Sequence, residues 1–329
     1  MKAAVAERPG SADVLVVKDI PKPEAKEGWV LIKVKAFGLN RAELFTRRGD
    51  SPDVTFPRVL GIEAVGVVEV APGTPFGPGQ KVAAMMGGMG RQFNGGYAEY
   101  TLVPQRCVFA LETDLDWAVL GAIPEMFQTV MGSLNVGLEA RAGQTLLVRG
   151  GTSSIGMTTV RVAKNMGLSV LATTRNPAKA ELLRENGADY VLLDNGTVAA
   201  QVRELYPNGV DRVLELVGTT TLLDSLQAAK RGGVVCMTGI LGGAWTLSNF
   251  TPMGDIPTGV KLTSYSGEAS DVTHESLQTF VDEVAAGRQQ LDLGRTFQLE
   301  EIAEAHRYME GNRATGKLVV VVVIGGDVR

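Results

Sequence analysis

The chain has 329 residues, 45% of them hydrophobic and 21% charged, with a net charge of −4. This is ordinary for a folded chain of about two domains and excludes extended disorder. Two cysteines exclude a disulfide-built scaffold, no basic block points to nucleic acid, the N-terminus lacks a signal peptide's apolar stretch, and the apolar run 318–324 is too short to span a bilayer. The expectation is therefore a cytoplasmic protein without membrane or nucleic-acid partners.

The first third reads as short strands between turns. Runs 30–36, 64–70 and 81–84 are rich in β-formers, and Ala71-Pro72-Gly73 and Phe76-Gly77-Pro78-Gly79 punctuate them. Arg47-Arg48, the densest basic cluster, reads as a solvated pair. The stretch Met85-Met86-Gly87-Gly88-Met89-Gly90 reads either as a flexible apolar cleft loop or as plain core and turn. The pattern changes near residue 120. Strand candidates 145–149, 169–173, 212–216 and 233–238 alternate with helices, among them 157–166 and 177–186, which end at Gly167 and Gly187. Repeated βαβ units predict an α/β domain with a parallel sheet covered by helices. The tail predicts helices 274–286 and 302–309, whose His274 and His306 read as surface residues, and a closing strand 317–324. The 40 glycines suit a chain with many tight turns and close backbone approaches.

The sharpest constellation is Gly150-Gly151-Thr152-Ser153-Ser154-Ile155-Gly156, between a strand and a helix. A turn in that setting presents backbone N–H groups and a helix N-terminus to a pyrophosphate. Gly151 is assigned the tight turn and Gly156 the close helix–strand packing. Ser153 replaces the usual middle glycine, and the hydroxyls of Ser153 and Ser154 are candidate phosphate donors. The plain alternative is a glycine turn with a serine N-cap. Where an NAD site expects an acid after the second strand, the chain reads Thr174-Arg175, with Lys179 one turn on. A missing carboxylate and added cations favour a 2′-phosphate, hence NADPH, although a solvated helix start also accounts for Arg175 and Lys179.

These residues, together with Gly38-Leu39-Asn40-Arg41-Ala42-Glu43, Leu60-Gly61-Ile62-Glu63, Gly95-Gly96-Tyr97-Ala98-Glu99-Tyr100 and the closing Ala314-Thr315-Gly316-Lys317-Leu318-Val319, resemble the medium-chain dehydrogenase/reductases, nearest their quinone oxidoreductase branch. The resemblance implies a GroES-like, mainly β catalytic domain over 1–121 and 267–329, and a Rossmann doubly wound domain over 122–266. It implies NADPH as cofactor, held by Asn40, Thr129, Gly151, Ser153, Ser154, Ile155, Thr174, Arg175, Lys179, Gly239, Ile240 and Lys317. Asn40 is the candidate catalytic residue, hydrogen-bonding the acceptor oxygen or the cofactor, or else simply stabilising a turn. Thr129 lies near the nicotinamide by the resemblance, or is a helix-interior threonine. Tyr97 reads as a packed aromatic rather than an acid. Zinc-dependent relatives place a cysteine at the position of Asn40 and a histidine at that of Ile62, so the expectation is no zinc. A tyrosine that relatives often carry after Arg-x-Gly is missing from Arg48-Gly49-Asp50-Ser51-Pro52, which removes one proton donor. The leading reading is hydride transfer from NADPH to a quinone. A second is an alkenal or enone reductase, and a third is a non-catalytic, crystallin-like or RNA-binding protein. A homodimer through the edge strand 259–265 completes the expectations.

Overall fold

The computed structural model describes residues 1–52, 54–311 and 316–324, so Ala314 and Thr315 of the closing motif lie outside the described residues. The chain forms two compact units, Met1–Phe127 with Glu268–Arg329, and Gln128–Gly267. The first boundary falls inside helix Pro124–Gly132, because that helix continues without a break through position 127.

The first unit is mainly β. A seven-stranded sheet runs in the order Leu293–Gln298, Lys317–Val321, Trp29–Gly38, Glu63–Val70, Lys81–Met85 and Val108–Ala110, with Tyr100–Pro104 also paired to Trp29–Gly38. Lys2–Ala6 sits between Leu15–Asp19 and Arg58–Val59 in a second, smaller sheet. Alternate residues such as Val30, Ile32 and Val34 enter one core, which helix Ile302–Glu310 joins through Ile302, Ala305 and Met309. Helix Arg41–Arg48 starts at Asn40, where the Glu43 carboxylate reaches back to accept the Asn40 N–H at 2.7 Å, half of a capping box. It ends at Gly49, whose φ of 90° supplies the left-handed C-terminal turn.

The second unit holds a six-stranded, all-parallel sheet in the order Tyr190–Leu193, Ser169–Thr174, Thr145–Arg149, Val210–Glu215, Ala229–Met237 and Lys261–Ser264. Numbered along the unit this is 3-2-1-4-5-6, the doubly wound order. Leu147, Leu171, Val213 and Val235 share a core with helices Val198–Leu205 and Thr219–Ala228. Their strand neighbours Leu146, Val148, Val170, Leu214 and Cys236 are buried as well. Both faces are therefore covered, which is why these strands read as continuous apolar runs.

Two expectations change, and one open reading narrows. Arg47 is buried, at 1% exposure, because it ion-pairs with Glu310 and donates to the Gly10 carbonyl. His306 is fully buried between Arg47 and Tyr97, while His274 is exposed as expected. Met85 and Met89 are core residues, which favours the plain reading of the methionine-rich stretch.

Candidate functional site

The turn after Thr145–Arg149 is built by its own backbone. Gly150 has a φ of 86° and so makes the left-handed turn assigned above to Gly151. Gly150 N–H donates to Thr173 Oγ1 at 3.0 Å, and Gly151 N–H to the Thr173 carbonyl at 3.0 Å, tying the turn to the neighbouring strand. A Cβ on Gly156 would stand 2.4 Å from the Gly150 carbonyl oxygen, so only glycine lets helix Ser154–Asn165 approach this closely. Ser153 is the N-cap: its Oγ donates to the Gly150 carbonyl at 2.9 Å and accepts the Gly156 N–H at 3.0 Å. That hydroxyl proton is spent within the turn, which corrects its assignment as a phosphate donor. The N–H groups of Ser154 and Ile155 open the first helical turn, where a helix offers no internal acceptor.

Thr174 closes the second strand, and its Oγ1 donates to the Asn176 carbonyl at 3.1 Å. No carboxylate stands at 174. Asp194, whose N–H reaches the Thr174 carbonyl, gives its own carboxylate to Arg149 at 2.8 and 2.9 Å. Arg175 is exposed beside this turn, and Lys179 is half-buried at the end of the short helix Pro177–Lys179. Gly239 follows strand Ala229–Met237 and approaches the Leu216 carbonyl oxygen so closely that a Cβ would stand 2.4 Å from it. The loop continues through Ile240 to Leu241, against which Gly150 packs. The structure thus gathers Gly151, Ser153, Ser154, Ile155 and Thr174, with the Gly239–Ile240 loop, at the C-terminal ends of neighbouring parallel strands.

Arg149 was not singled out by the sequence reading. It is fully buried, paired with Asp194 and Asp224, and pins the strand end immediately before the turn. Asp224 also accepts the Val198 N–H at 2.9 Å, so one carboxylate holds both the arginine and the start of helix Val198–Leu205.

In the first unit, Asn40 and Lys317 meet. The Lys317 ammonium donates to Asn40 Oδ1 and pairs with Glu63 and Glu125, each at 3.0 Å. Asn40 Nδ2 donates to Glu63 Oε1 at 2.9 Å and to Glu43 Oε1 at 3.4 Å. An ammonium can only donate and a carboxylate can only accept, so these partners fix the amide's orientation. Burial alone would lower Lys317, but Glu63 and Glu125 outweigh it and hold the ammonium well above the ordinary lysine value. Gly38 makes room for the cluster: a Cβ there would stand 2.3 Å from Glu63 Oε1 and 2.5 Å from Lys317 Cε. Both amide protons of Asn40 and all three ammonium protons of Lys317 are engaged. What Asn40 retains toward a ligand is a lone pair on Oδ1, an acceptor and not the donor to substrate oxygen considered above. Thr129 is half-buried on helix Pro124–Gly132, with Oγ1 3.4 Å from Gln128 Oε1. Sequence reasoning missed Glu63 and Glu125; the signal was an acid directly after Ile62 in an otherwise apolar motif, and another opening an apolar helix.

Fold and turn together define a dinucleotide-type parallel sheet carried with a β-rich companion unit. Residues 26–113 match the alcohol dehydrogenase GroES-like domain, and residues 186–320 match the zinc-binding dehydrogenase family. The chain is 30% identical to an NADPH-dependent alkenal/one oxidoreductase of Arabidopsis thaliana, covering 97% of this chain and 79% of that one. It is 28% identical to a quinone oxidoreductase of Pongo abelii over 95% of each chain. Among solved structures, a mycobacterial protein complexed with NADPH superposes with a TM-score of 0.86 at 26% identity, covering 98% of this chain and 99% of that one. The chain belongs to the quinone oxidoreductase-like medium-chain dehydrogenase/reductases.

Proposed function

We propose that this chain is an NADPH-dependent oxidoreductase that passes hydride to a quinone or a similarly electron-poor acceptor without zinc. The observation that carries the reading is the Gly150–Gly156 turn, whose glycines let helix Ser154–Asn165 start close against the strand end, so that its opening N–H groups form the cradle. Bound there, the cofactor would supply the hydride. Ser154 and Ile155 would hold its pyrophosphate through backbone N–H groups, and Gly151, whose own N–H is tied to the Thr173 carbonyl, would let the phosphates approach the turn. Thr174, which carries no carboxylate, would leave room for a 2′-phosphate, and Arg175 and Lys179 would meet its charge. Gly239 and Ile240 would line the adjacent loop, and Thr129, Asn40 and Lys317 complete the residues carried over by family likeness.

The residues do not fit a catalytic zinc. Asn40 and Ile62 stand where zinc-dependent relatives use cysteine and histidine, and the carboxylates of Glu63 and Glu125 are already engaged by Lys317. Among the described residues no group of three histidines, cysteines or acids is placed to hold a metal. Without a Lewis acid, an acceptor that is already electron-poor is the easier substrate, and the protein supplies proximity and orientation. The alkenal/one reductase relative keeps an enone as the second reading. Steady-state kcat/KM over a panel of quinones and enones with NADPH ranks the two; preference for simple aldehydes or alcohols would overturn both.

Strand Lys261–Ser264 has a single neighbour and so forms an edge of its sheet. We place a homodimer contact there, checked by light scattering at micromolar concentration; a monomer throughout would remove it. Among the described residues no helix is long and apolar enough to cross a membrane, and both cysteines are free and buried, which supports a cytoplasmic location.

A further inference from the structure

A second buried polar chain runs from Asn40 to the surface through residues that the proposed chemistry does not use. Arg47 Nη1 lies 3.2 Å from His306 Nδ1, His306 Nε2 lies 3.0 Å from the Tyr97 hydroxyl, and that hydroxyl lies 2.8 Å from Glu43 Oε2. Glu43 is 1% exposed, and Tyr97 and His306 are fully buried. At its outer end Arg47 pairs with the partly exposed Glu310. The chain joins helix Arg41–Arg48 to helix Ile302–Glu310 through the loop carrying Tyr97.

Its protons can be placed from elementary chemistry. A guanidinium has no acceptor, so Arg47 donates and His306 Nδ1 accepts. The imidazole is neutral, pushed down to about 3 by burial and by the Arg47 charge, so its proton resides on Nε2. Nε2–H then donates to the Tyr97 oxygen, which leaves the Tyr97 proton for Glu43. Glu43 also accepts the Asn40 N–H at 2.7 Å, the Ile62 N–H at 3.0 Å and Asn40 Nδ2 at 3.4 Å. Among the described residues, each of these hydrogen-bond partners of Glu43 is a donor. A protonated Glu43 would need an acceptor, and Tyr97 cannot turn to become one, because His306 offers it only another N–H.

We infer that Arg47, His306 and Tyr97 are positioning residues: an oriented relay that keeps Glu43 an ionised acceptor and so locks the Asn40 amide with Oδ1 toward Lys317. Their bearing on turnover rests on the proposed role of Asn40 as the ligand-facing residue. The relay is needed because burial opposes it. Burial, with the nearby charge of Glu63, pushes Glu43 up to about 7, while the Ile62 and Asn40 N–H groups and the Tyr97 hydroxyl pull it back. The other charges around the group are Arg47 and Glu310 on the relay side, and Lys317 and Glu125 beyond Asn40. Glu43 therefore titrates close to neutrality, and loss of one donor should move it.

The test uses the full chain with glutamate carboxyl carbons labelled for NMR, and in parallel the pH profile of kcat/KM with NADPH and a quinone. The expected result is one glutamate titrating near pH 7, absent in Glu43→Gln, and moved upward by a unit or more in Tyr97→Phe. The acidic limb of the pH profile should move with it. His306→Leu should act like Tyr97→Phe. His306→Gln should restore the wild-type values, because an amide can accept from Arg47 and donate to Tyr97 in the same order. An unshifted titration in Tyr97→Phe, or His306→Gln behaving like His306→Leu, would overturn the relay. Absent turnover in wild type would instead count against the proposed function, while the NMR titration still decides the relay.

Discussion

Replacing Lys317 by methionine removes the one cation that the buried cluster of the first unit shares. The side chains of Lys317 and Glu63 are 3% and 1% exposed and that of Glu125 is 12% exposed, so water cannot take over the ammonium's role. Glu63 and Glu125 would then face each other without a counter-charge, and Asn40 Oδ1 would lose its donor. Breaking a buried pair from one side costs about 3–5 kcal/mol. For a unit of this size that corresponds to a fall of roughly 6–20 °C in its melting temperature. Thermal unfolding followed by calorimetry reads this directly. The double variant Lys317→Met with Glu63→Gln removes the cation and the more deeply buried of the two carboxylates, and should recover at least half of the loss, because the penalty lies in the stranded carboxylates rather than in lost packing. A single variant that melts within 2 °C of wild type at pH 7, or a double variant no better than the single, would refute the reasoning.

Other outcomes follow from the same geometry. Arg175→Ala should raise the NADPH dissociation constant roughly 10- to 150-fold, the equivalent of a charge-assisted contact of about 1.5–3 kcal/mol. NADH binding should be nearly unchanged; equal weakening of both in calorimetric titrations would remove Arg175 from the 2′-phosphate. His306 is depressed from 6.5 to about 3 by burial and by Arg47, so its contribution to stability is present above pH 6.5 and lost as pH falls toward 3. The loss is roughly 3–5 kcal/mol, and urea unfolding across that window should show it in wild type but not in His306→Gln. Glu43, raised from 4.5 to about 7 chiefly by burial, has the opposite sense: its contribution is present below pH 4.5 and lost as pH rises through 7. Glu43→Gln should therefore gain on wild type by about 3 kcal/mol between pH 4 and pH 7.5, and a constant difference would contradict the assignment. Gly156→Val should abolish NADPH binding, since its side chain would collide with the Gly150 and Gly151 carbonyls; retained affinity would mean that the turn is not the cradle.

The parallel sheet was legible because its strands are apolar on both faces and its helices end at glycines such as Gly167 and Gly187, a local signal. The phosphate-type turn was legible for the same reason: strand, glycines, serine cap and helix are contiguous. Which glycine takes the left-handed turn was not, since Gly150 and Gly151 are both permissive and only the bonds to Thr173 decide between them. The buried polar clusters were invisible. Lys317 finds Asn40 across 277 positions and His306 finds Arg47 across 259, and no periodicity encodes a partner at that range. For the same reason Arg47 and His306 read as surface residues: a charge on an amphipathic helix is normally solvated, and only a distant partner makes its burial tolerable.

The most direct test of the account is oxidation of NADPH and of NADH by the purified chain with a quinone acceptor, with and without EDTA, followed at the nicotinamide absorbance. The account predicts turnover with NADPH, little with NADH, and no effect of EDTA. Activity lost to the chelator and restored by zinc, or equal use of both cofactors, would contradict it.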